Sequence, residues 1–210
     1  MKNISWVLFA ILIYMSGCTS GYRVHVNGFS ETDRQISQKA SVYVSVDPNS
    51  QNPIFDKEIK AKIEELLKWC EYIPTTDIEQ SDYRLTFQAG MDSHHTSGFT
   101  PLYHPYVGFH GGYWSGYHFG YTTYVPYYDT YYDQRLGIKV YARDPNVSSA
   151  EEKVVWVGEA MISTGGEDFR RTINYLLVGC FQYFGADTSR QRSLIVTEKD
   201  PRIIRIESLK

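Results

Sequence analysis

Two apolar stripes at helical spacing, set among runs of strict alternation, constrain this chain more than any other feature. Asn52-Pro53 opens the first, with Asn as N-cap and Pro at the first helical position. Phe55, Ile59, Ile63, Leu66, Leu67 and Cys70 then share one face. Lys57, Lys60, Lys62, Glu64, Glu65 and Lys68 take the other, which reads as solvated, and Pro74 marks the end. The second stripe is Phe169, Ile173, Leu176, Leu177, Cys180, Phe181 and Phe184. Glu167 and Asp168 sit in its first turn, where they suit the helix dipole, and Gly185 is the expected cap. Alternation marks strands over Tyr22–Phe29, Ala40–Val46, Tyr83–Ala89, Leu136–Ala142 and Val154–Ser163. Gly158, inside the last, marks a bulge or a close backbone approach. The expected fold is α+β: two amphipathic helices packed on one face of a mostly antiparallel sheet of about five strands. A long Gly/Tyr/His-rich insert interrupts it.

That insert, residues 91–133, has neither helical nor clean strand periodicity. A loop this long in a compact domain is ordinarily functional or disordered. One reading makes it an interaction surface, because Tyr and Trp give large contact area at low entropy cost. Tyr103, Tyr106, Tyr113, Trp114, Tyr117 and Tyr121 are its candidate binding residues. An envelope protein, a glycan strand or lipid headgroups would suit them. The second reading is an extended hairpin covering the open face of the sheet. A third, weaker alternative is a Zn or Cu site, because His94, His95, His104, His110 and His118 lie here with Asp92, Asp129 and Asp133. Their spacing matches no recognised ligand frame.

The N-terminus fixes location. Lys2 precedes an apolar run, Trp6 to Ile13, which closes on Met15-Ser16-Gly17-Cys18. This is the pattern of a secretory signal peptide, too short to span a bilayer. Small-small-Cys resembles the bacterial lipobox, so Cys18 is the expected lipidation site, with Met15 standing where Leu is usual. The expected domains are a signal peptide over 1–17, a lipid-anchored linker over 18–21, an α+β domain over 22–188 and a C-terminal tail over 189–210. The tail carries one more alternating run, Ile203 to Ile206. Thr19 after the Cys, rather than Asp, points to the outer membrane, lipid-anchored, with the periplasmic face favoured over the cell surface.

Composition excludes several function classes. A net charge of −3 offers no basic field for nucleic acid. There is no Gly-x-Ser-x-Gly elbow, and Gly165-Gly166 lacks the Lys of a phosphate loop. The expectation is a protein that is not an enzyme and needs no cofactor. Cys70 and Cys180 sit on apolar helix faces; they are either two buried thiols or, with Cα atoms within about 7 Å, a disulfide.

Taken in order, these features resemble a family of bacterial envelope lipoproteins, domain-of-unknown-function family 4136. The resemblance rests on Asn52-Pro53, Ser81-Asp82-Tyr83, the Gly/aromatic segment, Leu136-Gly137-Ile138-Lys139-Val140, and Val155-Trp156-Val157-Gly158-Glu159-Ala160. It spans roughly residues 22 to 186. It implies an α+β lipoprotein domain and no established activity or catalytic residues.

Overall fold

The computed structural model describes residues 20–31, 36–106, 119–143 and 152–209, with the side chains of 105–106 and 119–121 outside the description. Cys18, and the insert positions Tyr113, Trp114, Tyr117, His110 and His118, therefore lie outside the described residues. The chain divides into two units. The first comprises the chain up to Met91, Gln134–Ile162 and Asp168–Lys210; the second is Asp92–Asp133 with Ser163–Glu167.

Among the described residues there are seven strands: β1 (Gly21–Ser30), β2 (Ser41–Ser45), β3 (Ile73–Thr75), β4 (Tyr83–Tyr106), β5 (Phe119–Ala142), β6 (Lys153–Thr164) and β7 (Arg192–Thr197). They order as β3-β2-β4-β5-β6-β1-β7. The sheet is open and mixed, with antiparallel pairs beside two parallel ones. β1 runs antiparallel to β6 and β7, whereas β2 runs parallel to β3 and β4. Three helices among the described residues accompany it: α1 (Pro53–Trp69), α2 (Phe169–Phe181) and α3 (Pro201–Glu207). The α+β class stands; the strand and helix numbers exceed those read from the sequence.

The first unit is a sheet buried on one face. Alternate residues Val24 and Val26, Val42 and Val44, Leu136, Ile138 and Val140 are fully buried, while His25, Tyr43 and Lys139 between them meet solvent. Such one-sided alternation is what a sheet covered by helices on one side requires. Gly158 stands in register opposite Gly28, so it forms no bulge. Close approach is its role: a Cβ there would lie 2.1 Å from the Trp156 ring and 2.7 Å from Cys180 Sγ.

Both long helices are capped by side chains. Asn52 Oδ1 accepts from the Phe55 N–H at 3.1 Å, as expected. Asp168 is the N-cap of α2 rather than a first-turn residue, accepting from Arg171 N–H at 3.0 Å. α2 ends at Gln182, and Gly185 (φ 76°) follows in the turn beyond it. α1 ends at Trp69, five residues before Pro74, which belongs to β3. Tyr72 N–H donates to Leu67 C=O at 2.9 Å and Glu71 N–H to Lys68 C=O at 3.1 Å, with Glu71 left-handed at φ 66°. This is the double hydrogen-bond closure usually built on Gly.

The chain beyond Asp187 supplies an edge strand and a helix. β7 pairs with β1 from Gly21↔Thr197 to Val26↔Arg192. Asp200-Pro201 opens α3 with the same cap-and-proline signal as Asn52-Pro53. Ile203 and Ile206 are buried and Ile204 exposed, so the run read as alternating has helical spacing. Lys62 and Glu65 are buried rather than solvated, and α3 accounts for Glu65. Arg205 donates to Glu65 across the α1–α3 contact, and Glu58 accepts from Lys62 at 2.7 Å and from Arg170 of α2 at 2.6 Å. With neighbours on several sides, α2 is buried continuously from Thr172 to Phe181.

A candidate contact ribbon and a polar cleft

The insert is strand where it is described. β4 and β5 are each 24 residues long, and their outer parts make up most of the second unit. At ~3.3 Å per residue, the stretches Asp92–Tyr106 and Phe119–Asp133 each extend about 50 Å. Side-chain contacts show the pairing to be antiparallel. His94 stacks on Tyr131, His95 Nδ1 bonds to Thr130 Oγ1 at 3.1 Å, and Gly98 lies against the Tyr127 ring. Further out, His104 Nε2 bonds to Thr123 Oγ1 at 2.8 Å.

This register sorts the side chains. With His94 opposite Tyr131, and period-two alternation, even positions of β4 share a face with odd positions of β5. One face then carries His94, Leu102, His104, Val125, Tyr127 and Tyr131. The other carries Phe99, Tyr103, Tyr124 and Tyr128. The second face is the more exposed, with Phe99 at 69%, Tyr103 at 57%, Tyr124 at 67% and Tyr128 at 81%. Pro101 falls opposite Tyr124, and Pro126 opposite Phe99, in one parity class. Ladder N–H groups alternate in and out along an antiparallel pair. Both prolines therefore occupy positions whose N–H would point outward, where none is needed. Prolines on outer edges also discourage addition of a further strand. The ribbon offers faces, not edges.

Charge is confined to its base. From Ser93 to Tyr128 the sequence contains no Asp, Glu, Lys or Arg. Asp92, Asp129 and Asp133 flank this stretch, and the register places all three on the His94 face. Tyr132 donates its hydroxyl to Glu167, which holds that phenol above its usual range.

Of the six binding residues read from the sequence, Tyr103 is the one with a described side chain, and it is exposed. The reading passed over Phe99, Tyr124 and Tyr128, which the parity of β4 and β5 joins to it. The described histidines do not converge. His94 and His95 point to opposite faces, and His104 lies ten residues, about 33 Å, along the strand. His94 Nδ1 is 3.7 Å from Asp133, and no group of three potential metal ligands gathers among the described residues.

A second feature is a cleft of about 630 Å³ in the first unit, lined by Lys39, Ser81, Asp82, Tyr83, Ala142 and Arg143 among others. Both of its carboxylates have partners, Glu79 lying 3.5 Å from Arg143. Asp82 accepts from the Ser41 hydroxyl and the Ser41 N–H, both at 2.7 Å. Those two bonds hold the Asp82 carboxyl below its usual range. Glu152 is buried between Arg84 Nε at 2.6 Å and Arg143 Nε at 3.4 Å. The two cysteines are free thiols and not a disulfide. Cys180 is sealed beneath Gly158, and burial pushes its thiol up to about 12. Burial raises Cys70 as well.

No protein-family model and no curated protein matches the sequence. Solved structures do resemble it. A PDZ domain protein from Parabacteroides distasonis matches with a TM-score of 0.50 and 16% identity over 92% of this chain. The chain spans 43% of that protein's length, and the likeness shows the fold alone. A PelC dodecamer from Paraburkholderia phytofirmans matches at TM-score 0.39 and 10% identity, over 78% of this chain and 99% of that one. One neighbour is a DUF4136 family protein. It comes from Bacteroides thetaiotaomicron, with TM-score 0.36 and 15% identity, over 75% of this chain and 91% of that one. This is the family whose motifs the sequence resembles.

Proposed function

We propose that this chain is a non-catalytic, lipid-anchored binding module of the bacterial cell envelope, and that the β4–β5 ribbon is its contact surface. The observation that carries this is the four rings Phe99, Tyr103, Tyr124 and Tyr128, exposed together on one face of a ribbon that has no charged residue from Ser93 to Tyr128. Exposed apolar patches of this kind are a liability unless they bind something. The signal peptide and Cys18 supply the anchor in this reading, holding the protein in the outer membrane with the domain in the periplasm. Among the described residues no helix is long and apolar enough to cross a membrane. The cleft supports a non-catalytic reading, because Asp82 is held by Ser41 and Glu79 lies 3.5 Å from Arg143; elsewhere in the first unit Glu152 is tied to Arg84, and burial raises the Cys180 thiol far above neutrality.

A photo-crosslinker at Tyr128, with a second at Tyr113, tests the contact surface in intact cells. A recurrent protein, glycan or lipid adduct is the expected result. No adduct at either position, with Tyr128 unreactive to solvent probes, would overturn it. Palmitate labelling that disappears in Cys18→Ala tests the anchor separately.

A further inference from the structure

The cross-strand register gives the four-ring face a repeating pattern. His94 lies opposite Tyr131 and Gly98 opposite Tyr127. On the other face Ser97 then stands opposite Tyr128, Phe99 opposite Pro126, Pro101 opposite Tyr124 and Tyr103 opposite Thr122. Each of these rungs sets one ring beside one small or flat side chain. The ring changes strand from each rung to the next, and successive rungs are about 6.7 Å apart along the ribbon. Ser97, Pro101, Thr122 and Pro126 are exposed, as the rings are, so the rings do not cover them. The opposite face differs, because there Tyr127 lies over Gly98 and Tyr131 stacks on His94.

Such a zigzag is complementary to itself. A second ribbon, turned face to face by a two-fold axis along the strands, sets Tyr128 on the copy's Ser97, Phe99 on its Pro126, Tyr124 on its Pro101 and Tyr103 on its Thr122. A two-fold axis across the strands, between the Phe99 and Pro101 rungs, sets Tyr128 on Thr122, Phe99 on Pro101, Tyr124 on Pro126 and Tyr103 on Ser97. In both arrangements every ring enters a gap and no ring strikes a ring, which is how the inner faces of two packed sheets interdigitate. An isologous contact uses the same patch on both sides, so a charge on it would face charge of its own sign. The four rungs carry none. Tyr132, whose hydroxyl donates to Glu167, lies two rungs nearer the base. Aromatic enrichment with charge depletion is the composition of an interface core. Over its described length the face measures about 50 Å by about 10 Å, or about 1,000 Å² for two copies, the lower limit of a specific interface.

We infer that the face bearing Phe99, Tyr103, Tyr124 and Tyr128 is a self-association surface, and that its partner is the same face of a second copy of this chain, packed with the rings interlocked. The inference rests on the reading of the ribbon as a contact surface and goes beyond it by naming the partner. Pro101 and Pro126 serve it twice. They discourage association edge to edge, and they form two of the gaps that receive rings. The area suits reversible association at micromolar concentration and not an obligate dimer.

The test uses the mature chain carrying Cys18→Ala, exported behind an ordinary signal peptide, so that lipidation plays no part. Sedimentation velocity from micromolar to submillimolar concentration is the assay. The expected result is a concentration-dependent equilibrium between monomer and dimer, unchanged between low salt and 1 M NaCl. The triple variant Phe99→Ser, Tyr124→Ser, Tyr128→Ser should raise Kd at least tenfold. Ser97→Trp with Thr122→Trp, which fills gaps while keeping every ring, should do the same. Leu102→Ser with Tyr127→Ser, on the opposite face, should leave Kd within twofold of the parent; circular dichroism confirms that all three variants fold. A photo-crosslinker at Tyr128 of the purified chain should join two copies, with the adduct at or beside Ser97 or Thr122. A monomer throughout the range, equal losses from the two faces, or a gap-filled variant that dimerises like the parent would each overturn the inference. If the chain stays monomeric but Tyr128 crosslinks a different protein, a glycan or a lipid in cells, the contact-surface reading stands and the self-association inference falls.

Discussion

Gly28 and Gly158 face each other directly across β1 and β6, and each is hemmed in where a side chain would stand. A Cβ on Gly28 would lie 2.5 Å from the Ala186 carbonyl oxygen. That carbonyl accepts from Trp156 Nε1 at 3.1 Å, and the Trp156 ring lies over Gly158. Thr188 closes the arrangement, its N–H donating to the Gly28 carbonyl and its hydroxyl accepting from the Gly28 N–H, both at 3.0 Å. The glycine pair thus makes room for a fully buried indole and for the turn after α2.

Gly158→Ala is accordingly expected to destabilise by about 2–3 kcal/mol, the cost of forcing extra volume into a filled core. Urea unfolding followed by Trp emission measures it. A loss below about 0.5 kcal/mol would mean that Trp156 moves aside freely, against the close packing described.

Glu71 is a non-glycine residue held left-handed to close α1. That conformation costs an L-residue about 1–2 kcal/mol, partly offset in the comparison by the looser unfolded chain of glycine. Glu71→Gly should therefore stabilise by about 0.5–1 kcal/mol, a rise of ~2–4 °C in Tm for a domain of this size. Glu71→Val should do the reverse. Equal Tm values for the two variants would show that the closure adapts without strain.

Acid should weaken the first unit through a few particular carboxyls. The Ser41 hydroxyl and N–H hold Asp82 low; Arg205 holds Glu65 low against its burial; Arg202 holds Asp200 low. Each takes up its proton at lower pH in the folded chain than in the unfolded one, where carboxyls titrate near about 4. Their stabilisation is therefore complete above roughly pH 5 and is lost as pH falls through the lowered values. Asp82→Asn should lower the urea midpoint at pH 7 and follow a flatter acid limb, so that parent and variant converge below about pH 3. A gap that stays constant down to pH 3 would remove Asp82 from this account.

What the sequence shows of this fold follows from which surfaces are one-sided. β1, β2 and the inner parts of β4 and β5 alternate because helices cover one face, and the alternation is plain in Val24-x-Val26 and Val42-x-Val44. The ribbon hides its strand character because both its faces meet solvent. Nothing then enforces a period of two, and Pro101, Pro126 and Gly98 read as breakers. α3 is a different case: Asp200-Pro201 repeats the signal of Asn52-Pro53, but seven residues carry too few apolar positions for Ile203 and Ile206 to declare a period. Missing α3 made Glu65 look solvated. β3, three residues long with Pro74 in it, has no pattern to find. At the site, aromatic content was legible, whereas its division into two faces needed the register that His94 and Tyr131 reveal.

The separation of ribbon from core gives the last prediction. Every buried hydrophobic side chain recorded belongs to the first unit, and none lies between Asp92 and Asp133. Stability resides in buried apolar area, so the ribbon should contribute little. Replacing residues 95–130 by Asn-Gly, a two-residue hairpin turn that joins paired antiparallel strands, should leave a folded domain. Its Tm should fall by no more than a few degrees and Trp156 should keep its buried emission. The same excision should abolish crosslinking. A shortened chain that unfolds would show that the ribbon holds the core together, and its exposed rings would then need a structural explanation in place of a partner.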